Sequence, residues 1–528
     1  MIALRRFHGG VHPKEYKELS RHCAIEGIPL PERLHVPFHQ HIGAPCDPCV
    51  APGEKVLKGQ VIGRAGGFVS APVHAPTSGT IEAIVEHVAG HPSGLTMLCA
   101  VLVPDGNDQW HPDLKGLVDP LDLEPQEIRD KIRDAGIVGL GGATFPSHVK
   151  LTPSKTRPVE VLLINGAECE PYLTCDARLM EERFAEITDG IRYMLHALQT
   201  THCVVCIEEN KPGAIQAMTK AANETRNIQV LPLPVMYPQG AEKQLIEVVT
   251  GRQVPVGGLP GDIGVIVHNV ATALAVREAI RHGRPLTHRV VTVTGQGIAH
   301  PANLEVPIGT PIQTLIDHCG GLKSGVKKVI MGGPMMGVAL NDLRVPVVKG
   351  TSGILALLTN ETVHKPEQPC IRCGNCVRVC PLNLTPCEMA WRAKHDLVDQ
   401  LDDVHLRDCC ECGTCAYACP SNIPLVHYFR YGKFALAAKK REKDKTTLTK
   451  SRTAAKEARV AAEKAEKERK KEEMRLAMEA KRKAAAAAAP TPAPAGDDQA
   501  TPTPEGDAPA ARPAGSVTPR VAREKNTP

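Results

Sequence analysis

Residues 370–381 read CIRCGNCVRVCP, and residues 409–420 read CCECGTCAYACP. In the first stretch two residues separate Cys370, Cys373 and Cys376 from one another, and Cys380 follows after three more residues and precedes a proline. The second stretch repeats this spacing with Cys409, Cys412, Cys415 and Cys419 and contains one additional cysteine, Cys410. Three thiolates at this spacing bind one [4Fe–4S] cluster, and the fourth thiolate binds the other cluster of a two-cluster ferredoxin. The segment between the stretches, residues 388–408, has a helical pattern. The repeat therefore predicts an α-helical ferredoxin-like domain with two clusters.

The crossed pattern divides eight cysteines between two sites. The first cluster is expected to bind Cys370, Cys373, Cys376 and Cys419, and the second Cys380, Cys409, Cys412 and Cys415. Zinc is the alternative metal, because it is also bound by pairs of Cys-x-x-Cys units. Zinc requires neither the third cysteine nor the Cys-Pro ending, and both features occur twice here. Cys387 and Cys410 fall outside the spacing and are interpreted as neighbouring or core residues.

The composition excludes several classes of protein. Aromatic residues make up 3% of the 528 residues, which argues against the stacking surfaces that bind single-stranded nucleic acid. The net charge of +5 is uneven, because residues 439–483 alone carry +9 and the rest of the chain about −4. We therefore expect no nucleic acid partner. The basic segment predicts either a helix that docks on an anionic membrane surface or a solvated helical arm.

The cysteine content and the N-terminal sequence indicate the compartment. The residues after Met1 lack the apolar core of a signal peptide, and no run approaches 18 consecutive apolar residues. Nineteen cysteines without an export signal favour metal ligation in a reducing compartment over disulfide bonds. The expectation is a cytoplasmic protein with no membrane span of its own.

Shifts in composition predict a multidomain fold of α/β and β class. The expected segments are a barrel-sandwich domain at 1–117, an α/β domain at 118–285, a β-grasp (soluble-ligand-binding-like) module at 286–350, the double-cluster domain at 351–432, a charged Ala/Lys/Glu helix at 433–488 and a disordered tail at 489–528. In the second segment strands alternate with helices, which favours a mostly parallel sheet. The tail is rich in Ala, Pro, Thr and Asp and cannot bury enough surface to fold.

The first segment is similar to the sandwich of biotinyl and lipoyl carrier domains. Residues 68–85 contain no lysine, although a carrier needs a lysine at its hairpin tip to bind the prosthetic group. We therefore expect a structural domain. Two further Cys-x-x-Cys pairs, CDPC (46–49) and CVVC (203–206), are interpreted as structural. Alternation along a strand predicts that the CVVC sulfurs point to opposite faces of a sheet.

Candidate cofactor residues occur in three motifs of the second segment. The glycines of GLGGATFPSHVK (139–150) allow backbone amides to approach a phosphate, and Lys150 could add a positive charge. In NGAECEP (165–171), two glutamates follow a buried strand, where carboxylates suit hydrogen bonds to ribose hydroxyls or a flavin edge. Asn269 of HNVAT ends another strand. The alternatives are a glycine-rich turn without a ligand and a solvated acidic loop.

These motifs, in this order, resemble the flavin- and NADH-binding subunit of respiratory complex I and its relatives. With YPQGAEKQLI (237–246), MGGPMMG (331–337), the lysine-free sandwich and the two cysteine stretches, the set resembles the C subunit of Rnf-type ion-translocating oxidoreductases. The resemblance covers roughly residues 1–430. It departs at position 140, where the complex I pattern has arginine and this chain has Leu140.

The resemblance implies residue roles, cofactors and partners. FMN, bound noncovalently, would be held by Gly139, Gly141, Gly142, Lys150, Asn165 and Asn269, and Glu168 and Glu170 would face the nicotinamide nucleotide of NADH. Electrons would pass through two [4Fe–4S] clusters to or from membrane-embedded subunits and an iron–sulfur subunit or ferredoxin. The chain would lie peripherally on the cytoplasmic face of the inner membrane.

Two other functions stay open at this point. A soluble diaphorase subunit of a hydrogenase or formate dehydrogenase would use the same cofactors with a different partner. A flavin-free iron–sulfur relay would leave the glycine loop without a ligand, and such a protein would not oxidise NADH.

Overall fold

The structure is a computed structural model that describes residues 5–91, 94–152, 157–225, 227–362 and 365–488. The chain divides into two compact units, Met1–Arg441 and Glu442–Pro528. The expected disordered tail at 489–528 lies outside the described residues.

The N-terminal part of the first unit is a sandwich of two small antiparallel sheets. Its strands are β2 (Leu34–Pro37), β3 (Cys46–Pro48), β4 (Lys55–Val56), β5 (Val61–Ala65), β6 (Val73–His74), β7 (Gly79–Val88) and β8 (Thr96–Pro104), and β1 (Ile25–Gly27) precedes them. The sheet orders are β2-β8-β7-β4 and β3-β5-β6. Apolar residues of both sheets, including Leu34, Phe38 and Ile62, are buried between them. This confirms the predicted sandwich.

The α/β part contains a four-stranded sheet in which every pairing is parallel. Its elements are α1 (Pro125–Asp134), α2 (Ser147–Lys150), β9 (Val161–Gly166), α3 (Cys175–Glu182), α4 (Phe184–Leu198), β10 (Cys203–Glu208), α5 (Pro212–Asn223), β11 (Ile228–Leu233), α6 (Glu242–Thr250), β12 (Val265–Asn269) and α7 (Val270–His282). Apolar clusters cover both faces of the sheet. Cys203 belongs to one cluster and Cys206 to the other, as the alternation predicted.

The strand order β11-β10-β9-β12 reverses direction between β9 and β12. Strands β10 and β11 follow β9 on one side, and β12 is added on its other side. In open parallel sheets, ligands bind at such a reversal, beyond the carboxyl ends of the strands. The topology therefore places a crevice at the ends of β9 and β12.

A third part is built on a six-stranded mixed sheet with the order β1-β14-β13-β17-β15-β16. Its elements after the α/β part are β13 (His288–Thr294), β14 (Ala302–Pro307), α8 (Ile312–His318), β15 (Val326–Met331), β16 (Val338–Leu340) and β17 (Gly353–Leu358). Strand β1 comes from the N-terminal region, and β17 lies past the expected boundary at residue 350. Both strands belong to this sheet because they pair with strands that are distant in the chain, and no local sequence pattern predicts such pairing.

The cysteine-rich part contains four helices: α9 (Asn375–Arg378), α10 (Pro386–Lys394), α11 (Thr414–Tyr417) and α12 (Leu425–Ala487). The helix expected across residues 388–408 is shorter than predicted, because α10 ends at Lys394 and only 3₁₀ turns follow at Val398–Gln400 and Leu406–Asp408. Leu401 and Leu406 are buried in the core against α10 and α12, and the chain turns back to bury them.

Helix α12 is 63 residues long, and its buried residues are Leu425, Phe429, Gly432 and Leu436. These four lie in the first unit. Every described residue from 442 onward is exposed. No helix in the described ranges has the length and apolar character needed to cross a membrane.

Candidate functional site

Two asparagines end the adjacent strands at the crevice. Asn165 of β9 lies directly opposite Asn269 of β12 in the parallel register. The Asn165 side chain donates to the Gly240 carbonyl at 2.8 Å. The Asn269 Oδ1 accepts from the Ala271 amide at 2.8 Å and so caps α7, while its Nδ2 donates to Asp176 at 2.6 Å. Both amide side chains are thereby held in fixed orientations.

The glycine loop lies against the same crevice. A Cβ added to Gly141 would lie 3.4 Å from the Asn269 Cβ, so the loop approaches β12 closely. Gly142 has φ +108°, a conformation that favours glycine. The Gly139 amide donates to the Phe145 carbonyl at 2.8 Å and closes the loop at its base. The structure thus brings Gly139, Gly141, Asn165 and Asn269 together.

One residue of the loop is anchored, and the next three are exposed. The Leu140 amide donates to Thr272 at 2.9 Å, and its carbonyl accepts from Arg289 at 3.1 Å. The Leu140 side chain is buried. The amides of residues 141–143 make no hydrogen bond to any described part of the chain, and these residues are exposed. Exposed amides in a glycine turn form an anion-binding concavity.

Lys150 is committed to neighbours within the chain. Its Nζ lies 2.5 Å from Glu242 and donates to the Val267 carbonyl of β12 at 3.0 Å. The ammonium group therefore joins α2, α6 and β12 beneath the loop. Its positive charge is close to the crevice but is already paired.

Glu168 holds the start of a helix. Its carboxylate accepts from the amides of Asp176 at 2.7 Å and Ala177 at 3.3 Å, in the first turn of α3. The backbone of Glu168 is left-handed, with φ +46°. Burial raises the pKa of the Glu168 carboxyl to about 7, against the opposing effect of the Lys17 ammonium. The hydrogen-bond partners of the Glu168 carboxylate are therefore amides of this chain. Its contact with a nucleotide stays a prediction.

Glu170 joins the α/β part to the third part of the fold. Its carboxylate accepts from the amides of Met335 at 3.1 Å and Met336 at 2.9 Å. A Cβ at Gly333 would lie 2.2 Å from its Oε2, so only glycine permits this contact. Burial raises the pKa of Glu170 to about 7, while the two amides oppose that shift. Its contact with a nucleotide stays a prediction.

Lys17, which lies outside every predicted motif, fixes the acidic loop. Its Nζ donates to the carbonyls of Glu168 at 2.8 Å, Glu170 at 3.0 Å and Leu173 at 2.6 Å. The side chain is buried, and desolvation lowers its pKa, assisted by the charge of Lys211. The partners lie more than 150 residues away, so no local motif could have indicated them.

The cysteines form two groups with different environments. Five cysteines line one pocket: Cys380, Cys409, Cys412 and Cys415, which are predicted to share a cluster, and Cys410, which falls outside the spacing. For the other group, Ser421 donates to the Pro369 carbonyl at 3.0 Å, so the segments that carry Cys370 and Cys419 are adjacent. Cys370 and Cys373 are exposed, whereas Cys412 and Cys415 are buried.

The segment Tyr237–Gly240 links the crevice to the buried cysteine group. The Tyr237 hydroxyl donates to the Cys412 carbonyl at 2.8 Å. At the other end, the Gly240 amide lies 3.4 Å from the Cys169 sulfur and its carbonyl binds Asn165. Only two residues, Pro238 and Gln239, therefore separate a contact with a cysteine ligand candidate from a contact with the crevice.

The N-terminal segment supports the same junction. The Gly10 amide donates to the Val379 carbonyl at 3.0 Å, and the His8 ring lies 3.0 Å from the Cys380 carbonyl. A Cβ at Gly9 would lie 2.6 Å from the Val379 backbone. Neither this segment nor Tyr237 was predicted to belong to the site, because their contacts form only in the folded chain.

Comparisons with known proteins follow this division of the chain. Residues 5–107 match the RnfC barrel sandwich hybrid domain, residues 132–278 the Nuo51 FMN-binding domain, and residues 290–339 the SLBB domain. The C subunit of the ion-translocating oxidoreductase complex of Rhodobacter capsulatus is 49% identical over 438 residues, which cover 82% of this chain and 84% of that protein. The chain belongs to the RnfC family, the C subunits of ion-translocating oxidoreductase complexes.

Another member of the RnfC family has a more specific name. The C subunit of the proton-translocating ferredoxin:NAD(+) oxidoreductase complex of Clostridium ljungdahlii is 46% identical over 444 residues, 84% of this chain and 96% of that protein. Among solved structures, an NAD+-reducing [NiFe]-hydrogenase is similar in its air-oxidised state (19% identity, TM-score 0.40, 53% of this chain and 54% of that chain) and in its H2-reduced state (18%, 0.41, 60% and 63%).

The family membership confirms several predictions. The recognised resemblance was correct, and the chain is an electron-transfer subunit of an ion-translocating oxidoreductase complex. The sandwich, the FMN-binding α/β domain and the SLBB module are also confirmed. The crevice described above lies in the FMN-binding domain.

Proposed function

We propose that this RnfC-family protein transfers electrons between NADH, an FMN held in the β9/β12 crevice and two [4Fe–4S] clusters held by the cysteine-rich part. The observation that carries the proposal is the junction at Tyr237. One short segment there contacts both the crevice with the exposed amides and the pocket lined by the four predicted ligands of one cluster. Membrane-embedded subunits of the same complex would exchange electrons with the clusters, and the protein would lie on the cytoplasmic face of the membrane.

The crevice has the features that an FMN requires. The exposed amides of residues 141–143 suit its phosphate, and the absence of a side chain at Gly141 leaves room beside Asn269. Asn165 and Asn269 present fixed polar groups at the strand ends. Lys150, which pairs with Glu242 and donates to the Val267 carbonyl, contributes positive charge near the crevice. We assign these residues, with Gly139 and Gly142, to FMN binding.

Glu168 and Glu170 form the wall of the crevice where the nicotinamide nucleotide would lie. Each carboxylate is oriented by two backbone amides, so the wall is rigid before any ligand enters. Lys17 fixes the same wall from behind. An FMN held by these residues would supply an acceptor for the hydride of NADH that can pass its two electrons on singly, as iron–sulfur clusters require. This chain orients the reactants and excludes water.

The cysteine environments support a crossed ligand assignment. Cys380 comes from the first stretch but lines the same pocket as Cys409, Cys412 and Cys415 of the second. We assign these four to one cluster. If each stretch contributes its fourth cysteine to the other cluster, Cys419 joins Cys370, Cys373 and Cys376. The contact between Pro369 and Ser421 is consistent with this assignment. This is the arrangement of two-cluster ferredoxins.

Burial and contacts suggest the order of electron transfer. The group that includes Cys412 is buried against Tyr237 and thus lies toward the FMN domain. The group that includes Cys370 and Cys373 is exposed. We infer that electrons from the flavin reach the Cys380/Cys409/Cys412/Cys415 cluster first and leave through the other. The reverse flow would use the same sequence backwards.

Anaerobic purification, quantification of flavin and iron, and titration with NADH test the proposal. We expect about one FMN and about eight irons per chain, with NADH bleaching both the flavin and the cluster absorbance. Eight irons without flavin, and no response to NADH, would instead identify an iron–sulfur relay. If NADH reduced the flavin while the clusters stayed oxidised, the result would contradict the proposal that electrons pass from the crevice to the clusters across the junction at Tyr237.

A further inference from the structure

The two halves of the cysteine-rich part repeat the same backbone at an offset of 39 residues. Arg372 and Glu411 both have left-handed conformations, with φ +55° and +56°. Gly374 and Gly413 follow with φ +76° and +83°, and each precedes a four-residue helix, α9 or α11. Each half therefore presents a comparable face beside its Cys-x-x-Cys loop.

The face of the second half is covered by the chain itself. The Cys412 carbonyl accepts from the Tyr237 hydroxyl, and Cys410 packs with Val11, Tyr237 and Met335. A Cβ on Gly413 would lie 3.0 Å from the Met335 carbonyl. This half uses its face as an interface between domains.

The equivalent face of the first half is open; we call residues 370–374 with Arg378 the open face. Ile371, the counterpart of Cys410, is 67% exposed. Gly374, the counterpart of Gly413, has no described atom within 4 Å of an added Cβ. Cys370 and Cys373 are also exposed. The same backbone thus makes a protein interface in one half and meets solvent in the other.

We propose that the open face is the docking site of an acidic protein partner that carries a one-electron redox centre. The inference rests on the proposed function, in which the exposed cysteines hold the outer cluster. Electron tunnelling weakens steeply with distance, so a cluster exchanges electrons fastest through the surface nearest to it. The partner would occupy the position that Tyr237 and Met335 occupy in the other half.

The charge of the open face indicates the sign of its partner. The open face carries Arg372 and Arg378 and no acidic residue, a net charge of +2. The equivalent positions of the second half, 409–413 with Tyr417, carry −1. A positive face attracts an acidic surface and disfavours a second copy of itself. The exposed Ile371 at its centre supplies apolar contact.

Charge reversal on the open face tests the proposal. Arg372→Glu introduces the residue that the second half carries at position 411 in the same left-handed conformation, so the loop should tolerate it. Arg378→Glu is the second variant, and Arg192→Glu, an exposed position on α4, is the matched control. The probe is membrane vesicles from cells that lack this chain but retain the other subunits of the complex. Sedimentation measures binding of each anaerobically purified protein.

We expect either reversal to weaken binding at least tenfold and to reduce its salt dependence, while Arg192→Glu binds normally. NADH oxidation with ferricyanide, a small acceptor that needs no docking site, should stay unchanged, as should the iron content. Wild-type binding by both reversal variants, or equal weakening by Arg192→Glu, would overturn the proposal. Two further results would overturn it. One is an equal loss of binding to protein-free vesicles of anionic lipid, and the other is a dimer of this chain that Arg372→Glu dissociates.

Failure of the proposed function gives a different result. If the chain carried no FMN, NADH would not reduce ferricyanide even with wild-type protein. Vesicle binding would still report on the open face, because it requires no catalysis.

Discussion

The hydroxyl of Tyr237 donates a 2.8 Å hydrogen bond to the carbonyl of Cys412, 175 positions later in the chain. Tyr237 is buried, and its loop contacts Asn165 through Gly240. A single loop thus supports both the FMN-binding domain and the loop of a candidate cluster ligand. Because this loop contacts both parts, the fold fixes the distance between the proposed flavin site and the proposed cluster site.

Tyr237→Phe should weaken this junction by about 1–3 kcal/mol, because a buried carbonyl loses its donor. We expect slower electron transfer from the flavin to the clusters and an unchanged rate of flavin reduction by NADH. Stopped-flow absorbance separates the two steps. Tyr193→Phe, at a buried position on α4, is the control. Equal rates in both variants would show that the hydrogen bond has no role in the transfer.

Serine substitutions distinguish crossed from uncrossed cluster ligation. With crossed ligands, Cys380→Ser should alter the same paramagnetic signal as Cys409→Ser, and Cys419→Ser the same signal as Cys370→Ser. Complete loss of one cluster would lower the iron content from about eight to about four atoms. Electron paramagnetic resonance of the reduced proteins makes the comparison.

The control for ligation is Cys410→Ser, which changes a cysteine outside the spacing and should keep both signals. If Cys380→Ser instead matched Cys370→Ser, each stretch would hold its own cluster. The pocket shared by Cys380 and Cys412 would then have no role in ligation.

Gly141→Ala should reduce FMN content several-fold without destabilising the protein. The new methyl group would enter the crevice 3.4 Å from Asn269. Because Gly141 does not have a left-handed φ, alanine should stabilise the fold by about 0.4–1 kcal/mol through the unfolded chain. Flavin fluorescence after denaturation measures occupancy, and thermal unfolding measures stability.

Gly261→Ala is the matched control, because its Cβ would make only an ordinary contact at 3.9 Å, with Ile266. Full FMN occupancy in Gly141→Ala would exclude close contact between this loop and the flavin. Equal flavin loss in both variants would point to a general effect on the domain.

Glu170→Gln should change how stability depends on pH. The pKa of Glu170 is about 7 in the folded protein against an ordinary 4.5, so the folded state binds more protons between these values. Its contribution is full below pH 4.5 and is lost as pH rises to about 7. In the wild type this effect should lower the free energy of unfolding by about 1–3 kcal/mol at pH 7.5 relative to pH 5, and the substitution should remove it.

Urea unfolding of the anaerobic protein at several pH values measures this difference, with Glu305→Gln, an exposed position on β14, as the control. A constant difference between wild type and Glu170→Gln across the range would contradict the raised pKa. If the pH dependence of the free energy of unfolding changed in the same way in Glu305→Gln, the effect would be due to the net charge of the protein.

Local patterns predicted much of the candidate site. The spacing of the cysteines follows from the geometry of thiolates around a cluster, and the glycine loop from the need for close backbone approach. Asn269 was identifiable because it ends a strand, whereas Asn165 was assigned only through the resemblance to the complex I subunit. The assignment of Glu168 and Glu170 was less informative, because the sequence does not show which backbone amides a carboxylate will meet.

Short spacings in the sequence were enough to predict the order of the domains, the parallel sheet and the eight candidate cluster ligands. Three other features are visible only in the folded protein: Lys17 fixes the acidic loop, Glu170 binds the Met335 and Met336 amides, and Tyr237 contacts Cys412. These contacts join residues more than 150 positions apart. They depend on how whole domains pack, and no local pattern of charge or hydrophobicity records that packing.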